Sequence, residues 1–195
     1  AKKIKYEYFK SEDELLDEVV NHLLNQEVVG WFQGRFEWGP RALGNRSIIA
    51  DPRNPEMKDI VNKKIKFREP FRPFAPSVLA ERAHEFFELP KANDFYPIRF
   101  MVYVTPVKKD KEKIIPAVTH VDGTGRLQTV FKEENPRYYK LIQKFERKTR
   151  VPIILNTSFN LRGEPVVNTP ENAYSTFMRS GMDALVLEKF VVTKT

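Results

Sequence analysis

Between residues 34 and 47 the chain reads Gly34-Arg35-Phe36-Glu37-Trp38-Gly39-Pro40-Arg41-Ala42-Leu43-Gly44-Asn45-Arg46-Ser47, directly after an apolar run. Arginine presents a planar fork suited to bidentate recognition of phosphate and carboxylate. Glycine lets the backbone approach a ligand closely. Arg35, Arg41 and Arg46 are therefore candidate contacts for a multiply charged anion, against the plainer alternative of surface arginines paired with local acids. A second cationic group, Lys66, Arg68 and Arg72, falls in Lys66-Phe67-Arg68-Glu69-Pro70-Phe71-Arg72-Pro73-Phe74-Ala75-Pro76. Its three prolines predict an extended or turning segment. On such a segment the side chains of Lys66 and Arg68 point the same way and can converge on one anion; a solvated basic edge is an equally good reading.

Two further segments carry polar groups in unusual density. Asn156-Thr157-Ser158-Phe159-Asn160-Leu161-Arg162-Gly163-Glu164-Pro165 follows the apolar run Val151–Leu155, and ligands of α/β sheets gather beyond the C-terminal ends of strands. Asn156, Thr157, Ser158 and Asn160 can hydrogen-bond a phosphate, a ribose or an amide such as a carbamoyl group. Thr119-His120-Val121-Asp122-Gly123-Thr124-Gly125-Arg126-Leu127-Gln128-Thr129 contains the hairpin signal Asp122-Gly123. We expect a structural turn there; if it folds over a pocket, His120, Arg126 and Gln128 line it, with Arg126 as the candidate ligand contact. Neither a Walker A sequence nor G-x-G-x-x-G occurs, which removes P-loop and Rossmann assignments. No Ser-His-Asp spacing stands out. The chemistry implied is electrostatic: clustered cations that position phosphates and stabilise charge developing during transfer.

Elements must hold these groups. The spacing predicts a helix opened by a Ser11/Glu14 capping box and running to about Gln26, with Leu15, Leu16, Val19, Val20, Leu23 and Leu24 on one face. Strands are expected at Val28–Phe32, Ser77–Leu79, Ile98–Val104, Arg126–Phe131, Val151–Leu155, Ala184–Leu187 and Phe190–Thr193. Further helices follow Asn54-Pro55, Asn135-Pro136 and Thr169-Pro170, the last ended by Gly181, with a short one over Glu81–Glu88. Alternating strands and helices without a linker predict one α/β domain around a mixed sheet.

Composition narrows the classes. A chain of 195 residues, 41% hydrophobic, with 15 Phe, 7 Tyr and 2 Trp, has ample material for one core. Cysteine is absent, so thiolate and disulfide chemistry are excluded. With three histidines, His22, His84 and His120, no multi-histidine metal site is expected. No apolar stretch approaches the roughly 18–20 residues that span a bilayer, and residues 1–7 lack the apolar core of a signal peptide. We expect a soluble cytoplasmic domain without a membrane partner. A net charge of +7 fits an anionic ligand or nucleic acid, although part of it lies in the solvated run Lys108–Lys113.

Together, the run from Gly34 to Ile48, Lys64 to Pro76, Thr119-His120-Val121-Asp122 and Leu155-Asn156-Thr157-Ser158-Phe159-Asn160 resemble the C-terminal domain of O-carbamoyltransferases of the nodulation and antibiotic-tailoring type. The resemblance runs from about residue 12 to the end. It implies a YrdC/Sua5-like fold, a twisted mixed sheet flanked by helices around a positively charged cavity. It also implies an activity: formation of carbamoyl-adenylate from ATP and carbamoyl phosphate, for transfer to an acceptor hydroxyl by a Kae1-like N-terminal domain. The family pattern Lys-x-Arg followed far later by Ser-x-Asn maps onto Lys66, Arg68, Ser158 and Asn160 as the catalytic set. Arg35, Arg41, Arg46, Arg72, Arg126, Asn156 and Thr157 are expected as further ligand contacts. Mg²⁺ is expected to arrive with the nucleotide rather than in a carboxylate cage. The Kae1-like domain is missing from these 195 residues, so it is expected in cis or in trans. Two rivals share some of these features. One is a threonylcarbamoyl-adenylate synthase using bicarbonate and threonine. The other is a non-catalytic RNA-binding module, ranked last because the aromatics fit core positions rather than a stacking platform.

Overall fold

Burial, more than propensity, decides where the strands lie. In the computed structural model, which describes residues 5–67, 69, 72–89 and 96–194, ten strands and five α-helices are assigned. The strands are β1 (Lys5–Tyr8), β2 (Val29–Phe32), β3 (Arg46–Ala50), β4 (Ala75–Leu79), β5 (Thr105–Pro106), β6 (Thr124–Gly125), β7 (Gln128–Val130), β8 (Ile153–Ser158), β9 (Ala184–Leu187) and β10 (Phe190–Thr193). The helices are α1 (Glu12–Leu24), α2 (Met57–Val61), α3 (Ala83–Phe86), α4 (Pro136–Thr149) and α5 (Pro170–Arg179). Eight strands form one mixed sheet in the order β1-β10-β9-β2-β3-β8-β4-β7, and β5 pairs with β6 apart from it. The β2–β9 and β4–β7 pairs are parallel.

Helix starts follow the capping chemistry of the sequence. Ser11 Oγ accepts from Glu14 N, Asn135 Oδ1 from Tyr138 N, and Thr169 with Asn172 completes a reciprocal capping box, each satisfying an N–H that the first turn leaves without a helical partner. Leu15, Leu16, Val19, Val20 and Leu23 of α1 are buried, and α4 buries Tyr138, Leu141, Ile142 and Phe145. Successive residues of β2 face opposite ways. The ring of Trp31 lies 6.5 Å from that of Tyr138 on α4, while a Cβ at Gly30 would meet Phe159 and Met182.

The structure corrects several expectations. Ile98–Val104 is not a central strand. Residues Tyr96–Phe100 form a 3-10 turn, Val102 N closes back on Pro97 O, and Val102, Tyr103 and Val104 are exposed. Pro97 brings a φ suited to the first helical turn, and β7 already occupies the place beside β4. Conversely, Arg46–Ala50 is a fully buried strand at the middle of the sheet. Lys5–Tyr8 forms an exposed edge strand that its short, polar sequence does not announce. The segment from Lys66 is not extended at its start: Lys66 ends a wide helical turn over Asn62–Lys66, and Phe67 takes φ 46°. The helix near Asn54-Pro55 begins later, at Met57, with Asn54 Oδ1 accepting from Glu56 N. Gly181 does not end α5, which stops at Arg179 with Ser180 as its extended C-cap; glycine is needed at 181 for close packing, since a Cβ there would lie 2.7 Å from Lys64 Cβ.

Candidate functional site

The polar end of β8 meets the end of the Asn62–Lys66 turn. Lys66 is 6% exposed. Its Nζ donates to Ser158 O (2.6 Å), Asn160 Oδ1 (2.9 Å) and Asn160 O (3.1 Å), with Ser158 Oγ at 3.3 Å. Ser158 Oγ donates to Asn160 Oδ1 at 2.7 Å, so the amide oxygen takes two donors and must present that face. Asn160 Nδ2 then donates to Glu164 O at 2.7 Å. Ammonium, hydroxyl and amide thus form one hydrogen-bonded unit. A cavity of about 230 Å³ opens beside it, lined also by Glu69, Arg72, Leu161, Arg162 and Gly163. Arg72 Nε pairs with Glu69 Oε2 at 3.0 Å, and Arg162 donates to Phe67 O. Three of the four residues expected as catalytic are brought together here; Arg68 lies outside the described residues.

On its other side Ser158 lines a smaller cavity of about 90 Å³, shared with Arg41, Arg126, Met101, Asn156 and Thr157. The two cavities therefore meet at one serine. Arg126 is half-buried, and burial first, then the positive charge of Arg41, pushes its pKa below the ordinary arginine value. Among the described residues neither Arg41 nor Arg126 meets a carboxylate or donates a hydrogen bond. Two guanidinium groups of like charge line one cavity, one of them half-buried, and each disfavours the charge of the other.

The loop that carries Arg41 is held from within. Glu37 Oε1 accepts from Leu43 N, Asn45 N and Arg46 N at 2.7–3.1 Å. Trp31 Nε1 donates to Gly44 O, and Gly44 N donates to Ser47 Oγ. Gly44 takes φ +106°, and a Cβ would fall 2.3 Å from Tyr138 Cδ1, so glycine is required there on both counts. Asn156 Nδ2 donates to Ala42 O and Gln128 Nε2 to Leu43 O, tying the residues after Arg41 to β8 and β7. Gln128 is thus a brace inside the sheet. Asn156 Oδ1 is buried without a donor.

The other two loop arginines go elsewhere. Arg46 points inward, with its guanidinium carbon 3.6 Å above the Phe32 ring and its nitrogens donating to Gln33 O and Gly34 O. Burial lowers its pKa, opposed by the charges of Glu37 and Glu188. Arg35 lines a separate cleft of about 600 Å³ with Glu12, Arg137 and Glu188, which shares no lining residue with the two cavities. The sequence reading missed Arg162 and Met101 as lining residues. Arg162 stands inside the polar Asn156–Pro165 segment, a signal that was available; Met101 carries none. His120 sits in the turn closed by Asp122 and Gly123. Its Nδ1 bonds Thr124 Oγ1, whose proton goes to Asp122 Oδ1, leaving Nε2 buried and without a partner. Burial first, then the charges of Arg126 and Lys58, against the opposing Asp122, lowers its pKa.

No helix among the described residues is long and apolar enough to cross a membrane, and none of their His, Asp and Glu side chains gather in groups of three that could hold a metal.

Solved structures of HypF share the fold. The phosphate- and nucleotide-bound full-length form superposes with a TM-score of 0.66 at 16% identity, covering 92% of this chain and 25% of that one; HypF of T. kodakarensis gives 0.60 at 17%, covering 88% and 20%. The uncharacterized protein sll1178 of Synechocystis is 50% identical across 97% of this chain and 33% of its own length. Nodulation protein NolO of Bradyrhizobium diazoefficiens is 49% identical across 93% and 33%. Nodulation protein U of Sinorhizobium fredii is 40% identical across 76% and 25%. The chain therefore spans about a third or less of the length of these relatives. The model of the carbamoyltransferase C-terminus matches residues 20–194, and the chain belongs to that family.

Proposed function

We propose that the paired cavities bind ATP and carbamoyl phosphate and that this domain forms carbamoyl-adenylate. The observation that carries the reading is the convergence of Arg41 and Arg126, without carboxylate partners, on the serine that Lys66 engages from the other side. Anions entering there exchange mutual repulsion for charge-assisted hydrogen bonds. Release of both phosphate and pyrophosphate consumes one water. Water takes the phosphoryl group of carbamoyl phosphate, and the carbamate oxygen so freed attacks the α-phosphorus of ATP, expelling pyrophosphate. Lys66 and the arginines stabilise the leaving phosphates. Ser158 and Asn160 orient the nucleotide or the carbamoyl group, and Asn156 Oδ1 offers an acceptor to an amide N–H.

Mg²⁺ is proposed to enter on the nucleotide phosphates. Among the described residues lining the two cavities the sole carboxylate is Glu69, already paired with Arg72, so the chain supplies no cage and no step is assigned to the metal. Transfer of the carbamoyl group to a hydroxyl is assigned to a Kae1-like unit, in cis or in trans.

The test is exchange of labelled pyrophosphate into ATP by the purified chain. We expect exchange that requires carbamoyl phosphate and is lost in Lys66→Ala. Exchange driven by bicarbonate and threonine instead, or ATP binding without exchange under either condition, refutes the proposal.

A further inference from the structure

The Lys66–Ser158–Asn160 unit is braced from behind by groups that do not touch either cavity's ligand space. Asn160 can present its oxygen to Lys66 because its Nδ2 is held by Glu164 O. That carbonyl belongs to a tight turn in which Glu164 N donates to Leu161 O (3.2 Å) and Gly163 takes φ +80°. The Glu164 carboxylate closes the turn and ties it to α5. Oε2 accepts from Leu161 N at 3.3 Å and from Thr176 Oγ1 at 3.4 Å, and Oε1 accepts from Arg179 at 2.5 Å. Arg179 stands in the last turn of α5 and is itself steadied by Ser175 Oγ at 3.4 Å. The Arg179 hydrogen bond is also the leading cause that holds the Glu164 carboxyl below its usual range.

We propose that Glu164 and Arg179 are positioning residues that set the rotamer of Asn160, and through it the place of the Lys66 ammonium. This deepens the reading of the site given above and rests on it for the substrate. The pair lies on the far side of the turn, facing a separate hollow of about 240 Å³ lined by Val167, Asn172 and Ser175. An ion pair so exposed adds little to global stability. Its consequence is local: it selects where one backbone carbonyl stands.

The experiment uses Arg179→Ala, Arg179→Lys and Glu164→Gln in the full chain. The side-chain amide resonances of Asn160 are followed by NMR in the free protein, and inorganic phosphate serves as the probe ligand. In Arg179→Ala we expect faster hydrogen exchange of the Asn160 amide and phosphate binding weaker by about three- to tenfold, because a small displacement of a charged group is costly in a pre-organised site. The melting temperature should stay close to that of the parent, and Arg179→Lys should restore most of the binding. Unchanged Asn160 exchange in Arg179→Ala overturns the proposal, as does Arg179→Lys binding no better than Arg179→Ala. The amide readout needs no turnover, so a failure of carbamoyl phosphate as substrate leaves this test standing.

Discussion

Replacing Arg126 by glutamine separates a ligand-binding arginine from a structural one. In the free protein the guanidinium is half-buried, repelled by Arg41 and offset by no carboxylate among the described residues. Arg126→Gln should therefore leave the free protein as stable as before or raise its stability by up to about 1 kcal/mol, the scale of partly exposed charge pairs. Binding should move the other way. A hydrogen bond to a charged group contributes about 1.5–3 kcal/mol, so the variant should hold phosphate-bearing ligands about 10- to 150-fold more weakly. At a ligand concentration 100 times the parent's Kd, the parent gains about 2.7 kcal/mol; a variant with a 30-fold higher Kd gains about 0.9. For a domain of this size 1 kcal/mol corresponds to about 2–4 °C. The ligand-induced rise in Tm should thus be about 5–11 °C in the parent and about 2–4 °C in Arg126→Gln.

The assay is thermal unfolding followed by tryptophan fluorescence, to which the buried Trp31 contributes the unfolding change, with and without ATP and carbamoyl phosphate, at low and high salt. Arg41→Gln and the double variant complete a cycle. In the free protein the double variant should gain less than the two single gains added together, because either one already removes the repulsion. High salt should shrink that coupling. A free Arg126→Gln protein destabilised by more than about 1 kcal/mol with an undiminished ligand-induced rise would refute the reasoning and make Arg126 a fold residue.

Other outcomes follow from the loop and the turn. Gly44→Ala places a Cβ into the Tyr138 ring at a positive φ, so it should cost about 2–5 kcal/mol from backbone strain and overpacking together. Gly39→Ala, also at positive φ but facing open space, should cost about 1–2 kcal/mol, and thermal melts of the two compare them directly. His120 has a folded-state pKa depressed below 6.5. The unfolded chain therefore binds its proton first, and stability should fall as pH drops from about 6.5 toward the depressed value. His120→Gln should flatten that limb of a stability-versus-pH curve, and an unchanged curve would exclude the histidine as its source.

The grouping of Lys66 with Ser158 and Asn160 was legible because its evidence is local. Lys66 and Ser158-x-Asn160 are residues whose chemistry stands out against prolines on one side and a buried strand on the other, and the fold brings them within hydrogen-bond reach. Sorting Arg35, Arg41 and Arg46 was beyond the sequence. Their directions follow from the path that Glu37, Gly44 and the distant Asn156 and Gln128 impose on the loop. Arg46 looked like a ligand contact because its own strand was hidden inside a motif rich in glycine and polar residues. Ile98–Val104 failed for the opposite reason: its apolar residues mimic a buried strand, yet Pro97 starts a turn and β7 holds the place beside β4.

The strand order has a consequence for how the protein reaches its native state. The centre of the sheet joins Val29–Phe32 to Ala184–Leu187, and Ser47–Ala50 to Leu155–Ser158, contacts separated by most of the chain. Such pairings form slowly, since the entropy of closing a long loop is lost before the contact rewards it. Arg41, Lys66 and Ser158 arrive from three stretches that only this central pairing assembles. The cavity is therefore born late, and recovery of anion binding during refolding should lag behind recovery of helix signal in α1 and α4, making the site a clock for completion of the sheet.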